Sequence, residues 1–266
     1  KIQADYFSEK REGIFLERAS LPLYVGISTK PYVNVGKMKN HGFDTSLEYN
    51  QRVGQVRLSG KANFTYAHNT IIDNDQPDWQ YLYLNRREQM LWQQYGLVAA
   101  GLFESQADID SWPKQTFGDV KPGDIKYIDI NGDGKIDSND EKPIGWASVP
   151  EIVYGFGLSA VWKGIDCSVF FQGAGHVTLQ QSGSAIQAFS ARNMMESGVY
   201  EDIYYNHWSE SNPNPNAKYP RLSIGSNKNN FRNSTFWQKD MSYLRLKTVE
   251  IGYNFPSKWI DPIHIS

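Results

Sequence analysis

The sequence is poor in cysteine. Cys167 stands alone among 266 residues, so no internal disulfide can form. There is no run of about 18 apolar residues, which excludes a membrane-spanning helix. The net charge is −2 with no block of one sign. That argues against a nucleic-acid surface and against a charged disordered tail. The opening Lys1-Ile2-Gln3 carries no secretion signal. The histidines, at 41, 68, 176, 207 and 264, are far apart in sequence and form no metal-binding H-E-x-x-H pair. No phosphate-cradling loop and no G-x-S-x-G nucleophile elbow is present. Glu201 and Asp202 are adjacent, so they cannot flank one sugar bond. No catalytic set remains, and the chain is read as not an enzyme.

What the sequence does have is alternation. From Gly42 to Asn50, Phe43, Thr45, Leu47 and Tyr49 fall on one side; Asp44, Ser46, Glu48 and Asn50 fall on the other. Period-two patterning is a strand with one wet and one apolar face. The stretch after the Val53-Gly54 turn repeats it with Val56, Leu58, Gly60, Ala62, Phe64 and Tyr66. A second hairpin sets Tyr154, Phe156, Leu158, Ala160 and Trp162 against Ile165, Cys167, Val169 and Phe171, across Lys163-Gly164. A later strand alternates Arg245, Lys247 and Val249 with Leu246, Thr248 and Glu250. Ile263-His264-Ile265 reads as the start of its partner. Strands are expected over about 2–15, 37–52, 55–71, 151–163, 165–175 and 243–255, with a helix over Ser184–Ser197.

The connections are unequal. Turns at Val53-Gly54, Lys163-Gly164 and Pro256-Ser257 are short, whereas about 72–150 and 177–242 are long and polar. Short turns at one end and long loops at the other is the pattern of membrane barrels, and a soluble sandwich seldom needs loops that long. Trp162, Tyr253, Phe255 and Trp259 sit beside the short turns, as an interfacial aromatic girdle would. The expected fold class is all-β: an antiparallel transmembrane β-barrel segment. Such a protein must be exported, so the chain is read as a fragment of something longer.

One stretch has ligand spacing. Asp129, Asn131, Asp133, Asp137 and Asp140 occupy positions one, three, five, nine and twelve of a loop, with Gly134 at six and Ile136 at eight. This is a calcium-loop template, in which the Lys135 carbonyl supplies a further oxygen. The shorter Asp140 stands where the template has glutamate. No helix precedes Asp129, so a paired helix–loop–helix sensor is not expected. Mg²⁺ would demand a tighter octahedron than Ca²⁺. The competing reading is an Asx-rich turn that binds no metal; the number of matches favours a structural Ca²⁺ that pins the loop. Aromatics in the long stretches, Trp79, Tyr81 and Trp92 in the first and Tyr204 and Trp208 in the second, are candidate platforms for sugar or peptide, against the alternative of loop packing.

Five segments in order resemble the SusC/RagA type of TonB-linked outer-membrane transporter. They are Tyr95–Gln106; Pro122–Asp140 leading to Ile144-Gly145; Tyr154–Gly173; Trp208–Leu222; and Phe236–Tyr253. The match extends over most of residues 34 to 260, with Ala100 where the family has an acidic residue. The resemblance implies the C-terminal part of a 22-stranded barrel in the outer membrane of a Gram-negative bacterium. It implies a plug domain, energy from the TonB complex and a SusD-like surface lipoprotein. It also implies import of a glycan oligosaccharide or peptide, with regions 72–150 and 177–242 extracellular. The alternative is a secreted, calcium-stabilised β module that binds carbohydrate without transport. The two differ in what the apolar strand faces meet: lipid, or each other.

Overall fold

The computed structural model describes residues 1–21, 23–26, 29–190, 198–225 and 227–256. The chain divides into two compact units. One comprises residues 1–75, 149–177 and 241–266; the other comprises 76–148 and 178–240.

The first is a sheet unit of six strands: β1 (Ile2–Glu17), β2 (Tyr32–Val53), β3 (Val56–Asp73), β4 (Ile152–Trp162), β5 (Ile165–Gly175) and β6 (Tyr243–Tyr253). They pair antiparallel in chain order, β1 to β6. At 11 residues each, β4, β5 and β6 match the length that a tilted strand needs to cross a bilayer. The β4–β5 turn is two residues long, with φ of +48° at Lys163 and +89° at Gly164. Two positive φ values make the turn whose twist matches the flanking strands.

Register carries the apolar pattern across every strand from β2 to β6. Tyr49, Gly60, Leu158, Val169 and Val249 form one cross-strand row. Leu47, Ala62, Phe156, Phe171 and Leu246 form the next, and Val53, Val56, Trp162, Ile165 and Tyr253 close the short-turn end. Between them run polar rows, such as Asn50, Ser59, Ser159, Ser168 and Glu250. There the Ser59 and Ser159 hydroxyls bond at 2.9 Å, and the Ser168 hydroxyl donates to Glu250 at 3.2 Å. Phe43, Leu47, Leu58, Leu158 and Val169 are exposed on the apolar face, not packed across a second sheet.

Strand β6 corrects the simple alternation. Phe170 pairs with Thr248, but Phe171 pairs with Leu246, so Lys247 is an extra residue in a bulge. A bulge flips the facing of everything beyond it. Leu244 and Leu246 therefore join Val249, Ile251 and Tyr253 on the exposed apolar side, and Val249 does not share a face with Arg245.

The second unit is built wholly from the two long excursions, which leave the sheet at the end opposite the short turns. They are polar in composition, yet they fold around a core of their own. Leu97, Leu102, Ile125, Tyr127 and Ile136 come from the first excursion; Ala188, Ile203, Trp208, Ala217, Tyr219 and Trp237 come from the second. Backbone bonds stitch the excursions together: Leu97 N–H donates to Asn233 O at 2.9 Å, and Thr235 N–H donates to Leu97 O at 3.0 Å. The helix expected from Ser184 is not formed over 184–190, where the chain makes turns that bury Ala188. Residues 191–197 of that expectation lie outside the described residues, as do Ser257, Trp259 and Ile263–Ile265.

Candidate functional site

The acidic loop folds as a chain of side-chain-to-backbone turns. Asp129 accepts from Gly132 N–H at 2.7 Å and from Gly134 N–H at 2.9 Å. Asn131 accepts from Asp133 N–H, and Asp133 accepts from Lys135 N–H. Gly132 and Gly134 make this bend with φ of +73° and +84°. Ile136 is fully buried and pairs through a short ladder with Gln115, which anchors the loop to the core.

Asp140 is not on the loop's rim. It is fully buried, and its carboxylate accepts from the backbone of Ile130, Asn131 and Asp137. It is the hub that closes the loop. A cation already stands among the outer carboxylates: the Lys135 ammonium lies 2.9 Å from Asp137 and 3.8 Å from Asp133. The hydrogen bond from Lys135, helped by the Asn139 N–H, holds the Asp137 carboxyl below its usual range. The same bond raises the Lys135 ammonium. Among the described residues, no three Asp, Glu, His or Cys side chains converge into a ready metal cage.

Aromatic residues adjoin the loop. Tyr81 and Tyr83 stack with centroids 5.6 Å apart, and Tyr83 donates to Asn139 O at 2.6 Å. Burial first, then the Asp140 charge, pushes the Tyr83 phenol up. Trp79, Trp92 and Tyr204 are exposed rings. Described ring contacts join Tyr204 to Tyr205 and His207, and do not join it to the Tyr81 pair. Trp208 is corrected: it is a core residue, only 5% exposed. Gly123, at φ +85°, lies so close that a Cβ there would meet the indole at 2.1 Å. A ring covered this way has no face left for a ligand.

Two constellations were not visible in the sequence. The first is a polar keystone. Asp124 is fully buried. Arg221 Nη2 donates to it at 3.0 Å, and Arg221 Nε lies 2.8 Å from its other oxygen as an ion-pair contact without hydrogen-bond geometry. Asp124 also accepts Lys121 N–H and the Asn227 and Asn230 amides. Asn229 and Asn230 in turn bond the backbone of Ile125 and the side chain of Gln115. Both Asp124 oxygens accept hydrogen bonds, so the buried charge is matched. Pro122-Gly123-Asp124 and Tyr219-Pro220-Arg221 both lie in recognisable segments, but nothing in either names the other as its partner. The second lies in the sheet unit. The buried carboxylate of Glu151 holds His68 Nδ1 at 2.5 Å and His176 Nδ1 at 2.9 Å, and His41 packs edge-on to His68. Three of the scattered histidines thus meet at one place.

No family model matches the chain. TonB-dependent receptor P3 of Formosa agariphila is 27% identical over 281 aligned positions, covering 98% of this chain and 26% of that protein. TonB-dependent receptor P26 of the same organism is 25% identical, covering 96% of this chain and 26% of that protein. Among solved structures, the RagAB peptide importer in its open-open state superposes with a TM-score of 0.68 at 20% identity, covering 97% of this chain and 27% of that one. The RagAB peptide transporter gives 0.70 at 19% identity, covering 99% and 27%. The chain therefore spans about a quarter of the length of the relatives it matches. In sequence over nearly its whole length, and in fold, it resembles the SusC/RagA type of TonB-dependent receptor, as its five motif segments indicated.

Proposed function

We propose that this chain is the C-terminal barrel portion of an outer-membrane, TonB-dependent importer. The observation that carries the reading is the sheet: a six-stranded meander whose apolar face is continuous and exposed. A secreted β module would bury Phe43, Leu47, Leu58 and Leu158 against a second layer. In this reading they meet lipid, and strands elsewhere in the parent protein pair the open edges of β1 and β6. The relatives are named as receptors and importers, not enzymes. The solute is an oligosaccharide or a peptide; RagAB's description as a peptide importer supports the second. A SusD-like lipoprotein covers the outer side, and TonB engages parts of the parent protein outside this chain.

The second unit then faces the cell exterior and the short turns face the periplasm. Surface labelling of intact cells tests this in the full-length receptor with Cys167 replaced by serine. Cysteines at Asn139→Cys and Asn214→Cys should react with an impermeant maleimide, and Gln55→Cys should not. The reverse pattern would sink the topology.

The acidic loop is proposed to take one Ca²⁺. Asp129, Asn131, Asp133 and Asp137, with the Lys135 carbonyl, would hold it, and Asp140 would keep the loop closed from behind. The Lys135 ammonium supports the reading, because it stands as a positive charge between two of the outer carboxylates. Ca²⁺ would displace it, so affinity should be modest, in the range of extracellular modules at about 10⁻⁴–10⁻³ M. Calcium at about 10 mM should then raise the unfolding temperature of the second unit, by mass action on the folded state. Lys135→Met should enlarge the rise, and Asp129→Asn with Asp133→Asn should abolish it. No calcium response in the wild-type protein would return the loop to a metal-free turn.

A further inference from the structure

Beside the acidic loop, within the same unit, lies an open cavity of about 510 Å³, of the size that holds a small solute or part of a larger one. Its walls come from both excursions: Thr116, Phe117, Asp137 and Ser138 from the first, and Lys228, Phe231 and Arg232 from the second. The Arg232 guanidinium carbon sits 3.9 Å from the Phe117 ring centroid. Stacking of this kind fixes a guanidinium while leaving its in-plane donors free. Among the described residues, neither Arg232 nor Lys228 has an ion-pair partner, and Arg232 Nε makes no hydrogen bond. The one carboxylate among the lining residues, Asp137, is already committed to Lys135 at 2.9 Å and to Asn139 N–H at 2.7 Å. The cavity lining therefore holds two cations without an ion-pair partner and two phenyl rings.

We propose that this cavity binds an oxyanion group, a carboxylate or a sulfate ester, carried on a solute with an apolar or ring-shaped body. A planar guanidinium fork fits two oxygens of such a group, and Lys228 adds a point charge beside it. A bare inorganic ion would use the two cations alone, whereas the carbon frame next to an acidic group would also meet the phenyl rings that line the cavity. The claim concerns binding alone, so a binding assay tests it separately from import.

The test is calorimetry on the detergent-solubilised full-length receptor with four probes: an acetylated glutamyl amide and its glutaminyl counterpart, and a sulfated glucose and glucose. At least one acidic probe should bind at least about tenfold more tightly than its neutral partner, the scale of one charge-assisted fork. Whichever acidic probe does so identifies the source of the oxyanion. Arg232→Gln should erase that preference. Should that variant fold poorly, Lys228→Glu, at an exposed position, should still weaken the acidic probe by about tenfold. Acidic and neutral probes binding alike, or acidic binding untouched by Lys228→Glu, would overturn the proposal.

Discussion

Replacing Asp124 with alanine is expected to open the second unit, at a cost of about 3–5 kcal/mol. The size follows from what is left behind. The Arg221 guanidinium, on a side chain 21% exposed, loses the hydrogen bond of Nη2 and the ion-pair contact of Nε. The Asn227 and Asn230 amides and the Lys121 N–H lose their acceptor in the same step. Removing one partner of a buried pair is much worse than never having had the pair, because the other charge stays behind unmatched. Asp124→Asn keeps the shape but not the charge, and should fall between. Hydrogen exchange on the full-length protein is the direct measurement. Amides of Ile125 and Tyr127 should lose protection in Asp124→Ala, while those of β2 and β3 keep theirs. Unchanged protection at Ile125 would show that the keystone carries little of the unit's stability.

Placing an arginine at Leu158 is expected to cost the barrel about 2–4 kcal/mol if the position lies near the bilayer midplane. The argument turns on a contrast. Leu158 is 65% exposed. In a water-soluble protein, a substitution at so exposed a site would change stability by no more than about 0.5 kcal/mol. In a membrane the same exposure faces hydrocarbon, and the charge must be dragged out of water. Its immediate row neighbours, Gly60 and Val169, bring no polar side chain to it. Ser159→Arg, one residue on and in the hydroxyl-bearing row, is the control and should cost clearly less. Urea-dependent folding of the full-length protein into lipid vesicles reads both. Equal effects for the two variants would mean that the apolar face does not meet lipid.

The strands were legible because their signal is local. Alternation in a window of ten residues is enough to place Leu158 and Ser159 on opposite faces. Lys163-Gly164 announces its turn by residue type alone. The bulge at Lys247 was not legible, since one extra residue leaves alternation intact on both sides of it and shows only in the register with Phe170 and Phe171. Trp208 misled for a related reason. An aromatic in a polar stretch looks free to bind, and only the fold reveals Gly123 pressed against it. The same holds for Asp140. Its place in the spacing suggested a ligand, but its burial makes it the support behind the loop. Asp124, Arg221, Glu151 and Arg232 each depend on a partner remote in the chain, and no window of sequence contains both members.

The core of the second unit is shared between two excursions that β4 and β5 separate in the chain. The first excursion holds only half an interior, and Tyr127 and Ile136 stay uncovered until the second packs against it. The Asp124–Arg221 pair crosses the same divide, so each excursion carries one half of a buried ion pair. That gives a physical meaning to the scattered motifs by which the chain is recognised. Leu97, Ile125, Trp208, Arg221 and Trp237 lie in four separate segments, yet they stand in one compact unit, cut in two along the chain by a hairpin.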